Sequence, residues 1–298
     1  MAICNCQARR GYRTRGCVLR AALAGLACVL TACASPQQHS ARIARRAQFQ
    51  SQLIAGRGFQ HQAYVALRDS DMLVVFIEGD GSPWVEGGRA MASDPTARVP
   101  LALELAALTP LSILYLGRPC YLLAVRPPEC SERLWTAERY SQQVVDSMVV
   151  ATDSYARAHG FARVLLVGYS GGATLATLMA DKVPRTVGVV SIAGNLDPDS
   201  WARLHGYLPL EGSLNPALRP PLPAELRQWY LVGLRDTNVP AAATERYLRR
   251  VPADRIRSWP DFDHVCCWKR AWPTILREIL GELNAQVPPS AAKTMESN

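Results

Sequence analysis

The sequence holds no run of about twenty apolar residues, the length a helix needs to cross a bilayer. The apolar run at 21–30 stops at half that length and cannot span a membrane on its own. No C-x-x-C and no paired-histidine spacing occurs, so a zinc-type or other metal site is not expected. Charged residues make up only 19% of the chain, and no dense Lys/Arg run with interleaved aromatics appears beyond the amino-terminal segment. That removes the electrostatic footprint of a nucleic-acid partner. The formal charge of +8 is concentrated at the start: Arg9, Arg10, Arg13, Arg15 and Arg20 precede Cys33, and no acid does. Without those five arginines the chain carries 28 basic residues against 25 acidic ones. No internal repeat is visible. What is present is a 298-residue chain with 49% hydrophobic residues, enough for a real core in one large domain or two small ones.

The arginine-rich segment followed by the short apolar run has the layout of an export signal. Leu30-Thr31-Ala32-Cys33 then resembles a bacterial lipobox. That resemblance implies removal of residues 1–32 as a lipoprotein signal peptide, diacylation of the Cys33 thiol and acylation of the new amino terminus. The alternative is an ordinary export signal with an incidental cysteine. Ala34 and Ser35 follow instead of an aspartate, which implies an outer-membrane, periplasm-facing, lipid-anchored place in the cell envelope. Arg9-Arg10 lies too far from the apolar run for a twin-arginine signal. Cys4, Cys6, Cys17 and Cys28 would be discarded, leaving Cys120, Cys130, Cys266 and Cys267, an even number that suits an oxidising compartment. Cys120 and Cys130 flank a proline-containing loop and are a candidate disulfide; partners for Cys266 and Cys267 stay open.

Beyond Cys33, residues 33–60 read as a polar tether, 61–287 as a catalytic domain and 288–298 as a flexible tail. Strand-like runs at 73–77, 111–116, 164–167, 187–192, 229–232 and 255–259 alternate with helical stretches at 100–108, 135–159, 173–182, 241–250 and 268–283. Such alternation predicts an α/β fold with a mainly parallel sheet flanked by helices. Between 195 and 228 the pattern gives way to Pro, Leu and Gly, predicting a minimal cap over any site.

Gly168-Tyr169-Ser170-Gly171-Gly172 follows a buried strand and precedes a helix. A nucleophilic serine needs a tight strand-to-helix turn, and glycines on either side remove the side chains that would collide there. With this segment the chain resembles the α/β-hydrolase superfamily over residues 64–283. The family's order of nucleophile, acid and histidine implies Ser170, Asp236 and His264 as the catalytic residues. Asp236 follows the strand at 229–232, and His264 lies between the last strand and the last helix. Asp197, after the preceding strand, is the alternative acid; Asp261 and Asp263 read as loop or capping residues. The loop after the first strong strand, Glu78-Gly79-Asp80-Gly81, implies that the backbone amides of Asp80 and Gly171 form the oxyanion hole, although Glu78 stands where the family often has histidine.

The segments Gly117-Arg118-Pro119-Cys120, Cys130, Trp135-Thr136 and Arg139-Tyr140-Ser141 are similar to those of proteobacterial α/β-hydrolase lipoproteins of unassigned substrate, and add no catalytic residue. The resemblance implies a serine hydrolase that needs no cofactor. It would cleave an ester of a small molecule or lipid through an acyl-enzyme. Peptidase or amidase chemistry on the same residues is an alternative, as is a non-catalytic envelope lipoprotein that binds a partner.

Overall fold

Residues 35–285 are described by the computed structural model. The expected signal peptide, Cys33 and the 288–298 tail lie outside them. Among the described residues, a helix and a strand occupy most of 36–60, which corrects the expectation of a polar tether over that stretch. Helix α1 (Pro36–Arg46) buries Ser40 and Ala44, and strand β1 (Gln50–Ala55) pairs antiparallel with β2 (Gln60–Ala66). The stretch looks like a tether because it is polar by composition: β1 is an edge strand with only Ile54 buried. Its pairing partner, not its own hydrophobicity, makes it a strand.

The chain continues through β3 (Met72–Ile77), a short hairpin of β4 (Trp84–Val85) and β5 (Ala90–Met91), α2 (Leu101–Ala106) and β6 (Ser112–Leu116). Then come α3 (Gln142–Ala158), β7 (Arg163–Tyr169), α4 (Gly171–Met179), β8 (Thr186–Ile192), α5 (Pro198–His205) and β9 (Arg227–Gly233). It ends in α6 (Ala241–Leu248), β10 (Ile256–Trp259) and α7 (Trp268–Asn284). Eight strands form one sheet in the order β1-β2-β6-β3-β7-β8-β9-β10, parallel from β6 onward. Strands β3 and β6 are buried at every residue, as their unbroken apolar runs require when helices flank the sheet. On the helical side, α2 packs on α7 and α3 on α4. No helix among the described residues is long and apolar enough to cross a membrane.

Two helices depart from expectation. The helix expected at 135–159 starts only at Gln142, because Trp135, ending a 3₁₀ turn at Glu132–Trp135, and Tyr140, in the loop that follows, are fully buried ahead of it. Within the stretch expected to be irregular, α5 forms with Asp197 as its side-chain N-cap, Pro198 in its first turn and Gly206 in the left-handed conformation at its end. The cap over the site is still minimal, adding only this helix and a single 3₁₀ turn at Pro216–Leu218. Cys120 and Cys130 are disulfide-bonded, with Cα atoms 5.6 Å apart, and Cys266 is bonded to Cys267.

Candidate active site

Loops at the carboxyl ends of parallel strands gather along one edge of an α/β sheet. Here those following β3, β7, β8, β9 and β10 bring together residues far apart in sequence. Between β7 and α4, Ser170 takes φ 54° and ψ −121°, an unfavourable backbone for a residue with a side chain. The turn closes only because of its glycines. A Cβ on Gly168 would fall 2.3 Å from the Gly172 carbonyl oxygen, and one on Gly172 would fall 2.2 Å from that of Ile77. The Ser170 amide donates to the Ile192 carbonyl at 2.9 Å, tying the turn to β8.

His264 reaches this serine from the loop after β10. Its Nε2 lies 3.1 Å from Ser170 Oγ, and its Nδ1 lies 2.7 Å from Asp236 Oδ2. A carboxylate can only accept, so Nδ1 carries the proton and Nε2 is left to accept from the serine hydroxyl. Asp236 is 4% exposed, and its Oδ1 accepts from the amides of Asn238 and Val239 at 2.9 and 2.7 Å. Both carboxylate oxygens are thereby engaged, so the group cannot swing away from the imidazole.

Asp197, the alternative acid, is not part of this chain of contacts. It accepts from Arg246 Nε and Nη2 at 2.7 and 2.6 Å, from Asn215, and from Ser200 as the cap of α5. Burial pushes its carboxyl up, but these donors outweigh burial and hold it below the usual range. Asp263 caps its own loop by accepting from the amides of Val265 and Cys266, and Asp261 pairs with Arg235 at 2.8 Å. His61 is structural: its Nδ1–H donates to the Gly117 carbonyl and its Nε2 accepts from Ser147 Oγ, both at 2.8 Å.

The loop after β3 passes close to the serine, where a Cβ on Gly79 would lie 3.2 Å from Ser170 Cβ. Glu78, in the position that departs from the family pattern, is buried beneath this loop. It accepts from the Gly79 amide at 3.1 Å, from Tyr115 OH at 3.3 Å and, at 3.4 Å, from the Leu103 amide. Burial pushes its carboxyl up to about 7 against these donors. Asp80 extends its carboxylate to Arg118 Nη1 at 2.6 Å, Arg139 Nη1 at 2.9 Å and Tyr140 OH at 2.6 Å. Sequence reasoning gave these three partners no role. The segments that hold them stood out only as a looser resemblance, because nothing in them signals that separate loops meet.

Ser170, His264 and Asp80 line one open cleft of about 1060 Å³. Its walls carry Trp84, Val99, Tyr207, Leu208 and Val265, all apolar and each more than 40% exposed. A hydroxyl, an imidazole and a carboxylate in this linear arrangement can pass a proton from serine to histidine and stabilise the imidazolium that forms.

No protein-family model and no curated protein matches the sequence. Solved structures do resemble the fold. An esterase of Pyrococcus furiosus matches with a TM-score of 0.54 at 16% identity, over 79% of this chain and 89% of its own. A candidate α/β hydrolase from Agrobacterium tumefaciens has a TM-score of 0.55 at 12% identity, covering 80% of this chain and 98% of its own. An esterase/lipase from an uncultured bacterium reaches 0.52 at 14% identity, covering 84% and 92%. Likeness at such low identity concerns architecture alone, and together with the strand order and the serine turn it establishes that this chain has the α/β-hydrolase fold.

Proposed function

We propose that the chain is a serine hydrolase that cleaves an ester through an acyl-enzyme, with Ser170 as nucleophile, His264 as general base and Asp236 as the carboxylate that orients it. The observation that carries this reading is the unbroken contact from Ser170 Oγ through His264 to Asp236, 3.1 and 2.7 Å. As Ser170 Oγ attacks the carbonyl carbon, its proton passes to His264 Nε2. The oxyanion is received by the amides of Asp80 and Gly171, and the amino terminus of α4 adds a favourable dipole. Collapse of the tetrahedral species expels the alkoxide, which takes the proton from Nε2. Water then repeats the sequence against the acyl-serine, releasing the acid and restoring the hydroxyl. The open cleft with apolar walls suits an ester of a small molecule or a lipid.

The same reading places the enzyme in a bacterial cell envelope, held by lipid on Cys33. Reaction with a fluorophosphonate probe tests the proposal. The wild-type protein should be labelled at Ser170, whereas Ser170→Ala should escape labelling and lose on the order of 10³-fold or more in ester turnover. Substantial turnover by that variant overturns the assignment.

A further inference from the structure

Beside the serine turn lies a buried charge cluster whose side chains take no part in the proposed reaction. The side chains of Arg118 and Arg139 are 1% and 4% exposed, and both point at the Asp80 carboxylate. Burial of an ion pair costs desolvation that packing alone would not require, so a group of this kind calls for a reason. Three separate segments build it: the loop after β3 (Asp80), the loop after β6 (Arg118, Tyr121) and the segment ahead of α3 (Arg139, Tyr140).

We propose that Arg118, Arg139 and Tyr140 clamp the Asp80 carboxylate and thereby position the two amides that receive the oxyanion, those of Asp80 and Gly171. The inference rests on the serine-hydrolase reading above. Asp80 is held at both ends: its carboxylate takes three donors, and its backbone carbonyl accepts from Tyr121 OH at 3.1 Å. Its own amide donates to no acceptor among the described residues, nor does that of Gly171 at the open end of α4.

Gly171 is tied to the same clamp by contact. A Cβ there would lie 2.1 Å from Asp80 Oδ1 and 2.5 Å from Tyr140 OH, so the clamped carboxylate packs directly on the backbone that carries the second amide. This accounts for glycine at the position after the serine, which the turn itself does not demand. The clamp is in turn braced. Arg118 Nη2 donates to the Arg139 carbonyl at 2.9 Å, and Arg139 Nε donates to that of Thr136 at 2.6 Å. The Cys120–Cys130 disulfide closes the loop that begins beside Arg118. Burial would push the Asp80 carboxyl up, yet Arg139 and Arg118 bring it down to about 2, so the clamp stays charged through neutral pH. Two guanidinium groups against one carboxylate leave a positive charge in excess near the position where the oxyanion forms.

Hydrolysis of p-nitrophenyl butyrate and inhibition by a trifluoromethyl ketone, whose hemiketal mimics the oxyanion, test the clamp together. Tyr140→Phe removes one donor and keeps the ring. It should lower kcat by about tenfold or more with KM within about twofold, less than the loss of a whole oxyanion donor. Affinity for the ketone should fall by the same factor as kcat/KM. Arg139→Met should behave likewise, and Arg139→Lys should recover part of the loss. Asp80→Asn is the more drastic change, since it strands two buried guanidinium groups, and the Tyr140 and Arg139 variants decide the question if it does not fold. A Tyr140→Phe protein with kcat and ketone affinity within about twofold of wild type overturns the clamp, as does a change confined to KM or thermal stability. A wild-type protein that neither binds the ketone nor is labelled by the fluorophosphonate overturns the serine-hydrolase reading and the clamp with it.

Discussion

Replacing Glu78 by glutamine should make the protein more stable at alkaline pH and leave it nearly unchanged at acid pH. Glu78 is 6% exposed, and burial raises its carboxyl from an ordinary 4.5 to about 7 despite the amides of Gly79, Ala102 and Leu103 and the Tyr115 hydroxyl. Between these two values the folded protein keeps a proton that the unfolded chain has released. Stability must therefore fall as pH rises through that window and level off above it. At about 1.4 kcal/mol per pH unit, the gap is worth about 3 kcal/mol. Glutamine has no charge to bury, so the variant escapes this loss.

His61 works in the opposite direction. Burial lowers its imidazole from 6.5 to about 4, partly offset by its bond to the Gly117 carbonyl. The unfolded chain binds that proton first as pH drops, so His61 costs stability as pH falls from 6.5 towards 4. Over most of the shared window the two slopes nearly cancel, and the wild-type curve should be shallow from pH 4.5 to 6.5. Glu78→Gln uncovers the His61 slope, so the variant's stability should climb with pH where the wild type stays level. Urea denaturation of both proteins at half-unit steps from pH 4.5 to 8.5 provides the measurement. A wild-type-to-variant difference that stays constant across that range refutes the reasoning, whatever its size.

Asp236→Asn should cut turnover by on the order of 10³- to 10⁴-fold, since an amide there favours the wrong histidine tautomer. Asp197→Asn should leave turnover largely intact and instead weaken the cap of α5, visible as a lower melting temperature; the reverse ranking in steady-state kinetics would reassign the acid. A non-reduced proteolytic digest analysed by mass spectrometry should yield a peptide pair joined through Cys120 and Cys130, and free thiols at both positions would contradict the pairing. Cys33→Ser should abolish palmitate incorporation in growing cells and change the protein's fractionation. Unlabelled wild-type protein found free in the periplasm would end the lipid-anchor proposal without touching the active-site chemistry.

The serine turn was legible because its requirements are largely local. Gly168, Ser170 and Gly172 are close in sequence, and a Cβ on Gly168 would strike the turn's own Gly172 and Ala173, although what excludes a Cβ on Gly172 is Ile77 of β3. The central strands were legible for a similar reason: burial on both faces leaves unbroken apolar runs in β3 and β6. Other features depend on what lies across the molecule. α1 and β1 look like polar spacer until the sheet supplies a partner, and α3 is shortened because Trp135 and Tyr140 are consumed by packing before the helix starts. Asp197 and Asp236 both follow strands and precede helices, so local sequence cannot choose between them. Strand order chooses, because β10 lies beside β9 and carries His264 to Asp236 while Arg246 occupies Asp197. The cluster on Asp80 was least visible of all. Charge attraction acts through space, and its members sit 38, 59 and 60 positions from Asp80, so only folding could make them neighbours.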